Sequence, residues 1–129
     1  MTVPESAISA YLAACGFGTV GSTIFTNVKP ATPDNLISVF GYAGSAPDWS
    51  HDTSGNRHPG IQVWVRNTNA ATARTNIENI YNTLDGITNT SLSSNYFEGI
   101  FVNSDPIPMG KDENGRTEFS LNFSTTIRR

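Results

Sequence analysis

Apolar residues recur along this chain at two spacings, and residues 60–84 contain both in succession. Ile61, Val63 and Val65 alternate with Gln62, Trp64 and Arg66, a period of two that predicts a strand with two unlike faces. The first face is slim and β-branched, suited to packing under a helix. The second sets an indole between an amide and a guanidinium, an unusual solvent face for a monomer, so it is expected to be exposed and to meet a partner. Directly after it, Ala73, Ile77, Ile80, Tyr81 and Leu84 recur at steps of three and four and predict an amphipathic helix. Asn67, Thr68 and Asn69 offer capping side chains at its start, and Gly86 followed by Ile87 suits its end.

The remaining elements follow in the same way. Thr2-Val3-Pro4-Glu5 has capping-box spacing, and Ile8, Tyr11, Leu12 and Cys15 then form a helical stripe closed by Gly16 and Phe17. Residues 22–28 and 35–43 read as strands joined by Lys29-Pro30-Ala31-Thr32-Pro33-Asp34, a rigid turn. Ile37 and Val39 face one side of the second strand, with Leu36, Phe40 and Tyr42 on the other. Residues 89–95 read as a polar linker. Residues 96–103 read as a strand with Phe97 and Phe101 on one face and Tyr96, Ile100 and Val102 on the other. Residues 105–110 break it, and Asn114-Gly115 is a hairpin signal. Residues 117–127 alternate most cleanly, with Phe119, Leu121, Phe123 and Ile127 inward and Glu118, Ser120, Asn122 and Ser124 outward. The expectation is an α+β domain spanning residues 1–129: helix, three strands, helix, two strands. That is a mainly antiparallel five-stranded sheet with two helices packed on one face.

Composition narrows the chemistry. Charged residues make up 15% of the 129, against about 25% in an average soluble protein, and the net charge is −3. No basic patch is visible, which argues against a nucleic-acid binder held by phosphate neutralisation. Cys15 stands alone, so there is neither a disulfide framework nor a thiolate metal site, and a buried structural thiol is expected. No apolar run approaches the ~20 residues of a membrane span and no signal-peptide pattern opens the chain, so a soluble protein used without export and without a membrane partner is expected.

The candidate sites each admit a plainer reading. Gly16-Phe17-Gly18-Thr19-Val20-Gly21 matches a dinucleotide-loop pattern, but those glycines follow a strand and open a helix, whereas these follow a helix and lead into an extended stretch. A flexible turn is the expectation. Residues 44–59 are long and lack periodicity, and such loops commonly serve a purpose. Asp48, His51, Asp52 and His58 could ligate a metal, although their spacing fits no compact ligand signature and solvated side chains are the simpler reading. Trp49 suits a contact with another chain. There is no nucleophile elbow, no S-x-x-K and no P-loop, and Asp112-Glu113 reads as a solvated turn tip. Neither catalytic residues nor a cofactor are expected.

Assembly uses the same residues better. A small, charge-poor sheet leaves edges that must be covered, charged or paired, and head-to-tail closure of identical subunits would pair them. Trp49, Trp64 and Phe101 would supply aromatic contact area, and Arg66 a directional polar contact.

A longer pattern runs from the first helix through Pro30-Ala31-Thr32-Pro33-Asp34 and Phe40-Gly41-Tyr42-Ala43-Gly44. It continues through Pro59-Gly60-Ile61-Gln62-Val63-Trp64-Val65-Arg66 and the helix after it. It ends in Pro108-Met109-Gly110-Lys111-Asp112-Glu113-Asn114-Gly115-Arg116 and Phe119-Ser120-Leu121-Asn122-Phe123. Over nearly its whole length the chain resembles the minor capsid and tail-terminator proteins of tailed bacteriophages. The resemblance implies an α+β fold and a homohexameric ring on the head-proximal end of the tail tube, stopping tube growth and meeting the head-completion or stopper protein. It also implies a place in the virion at the head–tail junction, synthesis in the host cytoplasm, and viral DNA passing the lumen without specific binding. No catalytic residues carry over. Contacts with copies or partners are expected at Trp49, Trp64, Arg66 and Phe101, and at Met109, Lys111, Asp112 and Arg116 in the hairpin region. The alternatives are another head–tail connector component, or a small metal-dependent enzyme or ligand-binding module using His51 and His58.

Overall fold

Residues 117–127, the cleanest alternation in the sequence, form the strand to which the others are joined. In the computed structural model, which describes residues 3–46 and 55–128, the chain runs α1 (Pro4–Ala14), β1 (Ile24–Thr26), β2 (Leu36–Ser45), β3 (His58–Asn67) and α2 (Ala70–Leu84). It continues through β4 (Ile87–Leu92), β5 (Asn95–Val102), β6 (Ile107–Lys111) and β7 (Thr117–Ile127). The sheet order is β1-β2-β3-β7-β5-β4, with β6 also on β7, beyond the stretch that β5 occupies. Of the described strand pairs, β1 and β2 run parallel and the others antiparallel.

The α+β class and the two helices match expectation, but the sheet has seven strands rather than five. The additional strands are β4, where a linker was expected, and β6, where the chain was expected to break. Both are edge strands with little or no buried face. β4 buries only Leu92 fully, and all five residues of β6 are exposed, so neither shows apolar alternation. Pro108 is tolerated in β6 because an edge strand needs fewer ladder donors.

The core lies between one face of the sheet and both helices. Ile37, Val39, Ile61, Val63, Val65, Leu121 and Phe123 meet Ala7, Ile8 and Leu12 of α1 and Ala73, Ile77, Ile80 and Leu84 of α2, all buried. Each such aliphatic or aromatic side chain contributes roughly 1.5–3 kcal/mol through removal from water. α1 packs on β1, β2 and β3 and also touches β4, at the far end of the strand order. The sheet is therefore curled around its helices.

Phe97 and Phe101 do not share a face as expected. Between Phe97 and Gly99 the register with β7 slips by one residue, a bulge that turns the rest of β5 over. Phe97 is buried and Phe101 is half exposed. Two local expectations at α1 also change. Its N-cap is Val3, without a side-chain cap bond and with Pro4 opening the first turn, while Thr2 lies outside the described residues. Cys15 is exposed rather than buried, because the helix ends at Ala14 and the chain turns away. Gly16 and Gly21, both at positive φ, carry that turn from helix to strand, opposite in sense to a dinucleotide loop. At α2, Asn69 Oδ1 accepts the Thr72 N–H at 3.0 Å, as a capping residue should.

Because β1 and β2 are parallel, residues 27–35 must carry the chain back along β1. Their carbonyls have no ladder to join, so something else must satisfy them.

Candidate functional site

The sheet face away from the helices is built in lateral rows by strand register. Tyr42, Gly60, Ser124 and Phe101 share one row; Phe40, Gln62 and Asn122 the next; Ser38, Trp64, Ser120 and Ile107 the third. Leu36, Arg66 and Glu118 close the series. The face is aromatic and nearly free of charge until its last row.

Its two exposed aromatics are laid flat by glycines. A Cβ at Gly60 would collide with the Tyr42 ring, and one at Gly99 with the Phe101 ring. Tyr42 thus lies across β3, its hydroxyl 3.4 Å from both the Phe123 carbonyl and Asn103 Nδ2. Phe101 lies back along its own strand. Trp64 is half buried: its Nε1–H donates to Gln62 Oε1 at 2.9 Å, and Lys29 Nζ sits 4.0 Å from the ring centroid. Lys29 also reaches Glu118 at 2.6 Å. Trp64 is therefore covered in part by this chain, which departs from the open indole expected.

Arg66 departs further. It is 3% exposed, and donates to the carbonyls of Pro30, Ala31, Pro33 and Asp34 at 2.8, 3.3, 2.6 and 3.1 Å. Arg116, 5% exposed, donates to the same Ala31 carbonyl at 2.6 Å, to Asp112 Oδ2 at 2.8 Å and to Asp34 Oδ1 at 3.3 Å. Two guanidiniums thus satisfy the carbonyls of the returning loop. Burial, and behind it the like charge of Arg116, lowers the Arg66 pKa, while Glu118, Asp112 and Asp34 act against that. Sequence reasoning missed this clamp. Residue type did not mark it: the register that sets Leu36 beside Arg66, and so brings the guanidinium under the Pro30–Asp34 loop, is visible only in the structure.

The β6–β7 turn is tied at its base. Asp112 Oδ1 accepts the N–H groups of Asn114 and Arg116, and Oδ2 accepts Arg116 Nε. These bonds, led by the Arg116 N–H, hold the Asp112 carboxyl below its ordinary value of 3.8. Met109 and Lys111 stand exposed on β6.

Of the residues expected to make contacts, Trp64 and Phe101 lie on the outer face, and Met109 and Lys111 on the edge strand beside it. Arg66, Asp112 and Arg116 are engaged within the subunit. Trp49 falls outside the described residues, as do Asp48, His51 and Asp52. His58 opens β3, its Nδ1 3.3 Å from Thr126 Oγ1. Among the described residues no group of three metal-ligating side chains comes together, and no helix is long and apolar enough to cross a membrane.

Residues 11–129 match the model of a family described as "Bacteriophage tail terminator protein". The fold is similar to a chain of the "Virion of native gene transfer agent (GTA) particle", with TM-score 0.59 and 14% identity over 98% of this chain and 87% of that one. At that identity the likeness carries the fold alone. No curated protein matches the sequence.

Proposed function

The chain belongs to the bacteriophage tail terminator family, whose members are virion structural proteins and not enzymes, and from that premise we propose that it forms a homohexameric ring closing the head-proximal end of the tail tube. There it stops tube polymerisation and presents a surface to the head-completion or stopper protein. The observation that carries this reading is the family match over residues 11–129.

The surface chemistry supports it. An outer sheet face bearing Phe40, Tyr42, Trp64 and Phe101, with its charges gathered at the end where Lys29 covers Trp64 and reaches Glu118, suits contact with protein rather than with solvent. A net charge of −3 with no basic array suits a lumen through which DNA passes without being gripped. Host particles lacking this chain test the reading: electron microscopy should find overlong or headless tails. Tails of normal length joined to heads would overturn it.

A further inference from the structure

Five asparagines converge on one trough beside α2. A cavity of about 280 Å³ at the end of β3 is lined by Asn35, Arg66, Asn67 and Asn76, with Phe17 and Leu36 among its apolar walls. Phe17 and Asn76 also line a second cavity of about 540 Å³, which continues along the helix past Asn79, Asn82 and Thr83. The two are therefore one continuous trough between α2 and the turn that follows α1. Among the described residues Arg66 is its only charged side chain.

Much of its hydrogen-bonding capacity is unspent. Asn67 is 7% exposed; its Oδ1 accepts the Asn69 N–H at 2.9 Å, and its Nδ2 has no acceptor among the described residues. Arg66 makes its bonds from Nε and Nη2, which leaves Nη1 without an acceptor among the described residues. Asn35 spends only Oδ1, on the Thr68 N–H at 2.9 Å and the Thr68 hydroxyl. The carboxamides of Asn76, Asn79 and Asn82 meet no partner among the described residues.

Asn79 and Asn82 alone would be ordinary solvated side chains. Asn67 and Arg66 are not, because a donor on a side chain more than nine-tenths withdrawn from solvent is costly until an oxygen reaches it. Neither donor is sealed off: among the described residues Ser38 Oγ is the fully enclosed side-chain atom without a partner. The open space beside both is the trough they line. The helix carries a second sign. Asparagine is a weak helix former, yet Asn76, Asn79 and Asn82 follow one another at steps of three within α2. A free inorganic anion suits the site poorly, since Asp34, Asp112 and Glu118 already act on the Arg66 charge. Neutral oxygens suit it.

We propose that this trough holds an extended segment of another polypeptide by its main chain. A carboxamide presents a carbonyl and an NH₂ group side by side, the complement of a peptide unit, so Asn76, Asn79 and Asn82 take main-chain N–H and C=O groups alike. At the other end Asn35 Nδ2, Asn67 Nδ2 and Arg66 Nη1 donate to main-chain carbonyls. Asn76 to Asn82 span about 9 Å of helix axis, the length of about three extended residues. Phe17, shared by both halves, seats one side chain of the segment. Such recognition is tolerant of sequence. The inference goes beyond the ring reading and does not depend on it.

Nuclear magnetic resonance of the nitrogen-15-labelled full-length chain tests it, because each asparagine carboxamide gives its own pair of signals. The probe is a blocked peptide of alternating alanine and serine, about eight residues long, added to millimolar concentration. The side-chain signals of Asn35, Asn67, Asn76, Asn79 and Asn82 should move together and saturate. Asn76→Ala combined with Asn79→Ala, both favourable on a helix surface, should keep the fold and raise the Kd roughly tenfold. The same peptide methylated on alternate nitrogens should bind the unaltered chain at least tenfold more weakly, through loss of its donors. Glucose oligomers and inorganic phosphate should move none of these signals. Signals unmoved by the peptide, equal affinity for the double variant or for the methylated peptide, or shifts caused by the sugar or the phosphate would each overturn the proposal.

Discussion

Replacing Arg66 with methionine isolates the clamp, because methionine keeps an apolar stem and removes every donor. Four carbonyl acceptors lose their partner, two of them held at 2.6 and 2.8 Å. A hydrogen bond from a charged donor contributes about 1.5–3 kcal/mol when its partner stays dry. Here Ala31 and Asp34 are exposed residues, so water can reclaim part of the loop, and Arg116 still holds the Ala31 carbonyl. Losing the like charge of Arg116 as a neighbour also returns something to the variant. Weighing these, the loss should be about 3 kcal/mol, or roughly 10 °C in melting temperature for a chain of this size. Urea titration reads it directly as a lower midpoint with unchanged slope. Arg116→Met alone should also destabilise, and the double variant should cost less than the sum because both arginines hold Ala31. A drop below about 1 kcal/mol for Arg66→Met would refute the view that these carbonyls depend on Arg66.

The other predictions concern single contacts. Asp112 has its pKa lowered on folding, so the stability it contributes is present above its unfolded pKa and lost as pH falls through the folded one. Asp112→Asn should therefore flatten the acid limb of a stability profile below about pH 4, and an unchanged limb would count against the carboxylate's role. Lys29→Gln removes the cation 4.0 Å above Trp64 and the pair with Glu118; in a Trp49→Phe background it should shift indole emission and cost about 1 kcal/mol. Gly60→Val places a side chain where the Tyr42 ring lies, and should cost about 1–3 kcal/mol and weaken assembly; wild-type assembly with Tyr42 undisturbed would contradict the packing. Ile77→Ala in the α2 stripe should cost about 2–5 kcal/mol by thermal melting, with no separate effect on the outer face.

What could be read from the sequence follows what was buried on one side only. β3, α2 and β7 each turn one face to the core and the other outward, so Val63, Ile77 and Leu121 marked their elements by spacing alone. β4 and β6 lie at sheet edges and bury almost nothing, so Thr88, Asn89 and Pro108 carry no such mark. The bulge after Phe97 is a matter of register against β7, which periodicity within one strand cannot reveal. Arg66 misled for a related reason. Alternation placed it on the outer face, where it is, but its acceptors are main-chain oxygens of a distant loop, and carbonyls have no signature in residue type. Trp64 and Phe101, in separate rows, do both reach that face.

The most direct measurement is an electron-microscopy map of the head–tail junction in the intact particle. The account predicts six copies of this chain in one closed ring at the top of the tail tube. Copies placed elsewhere in the particle, or standing apart without touching one another, would contradict it.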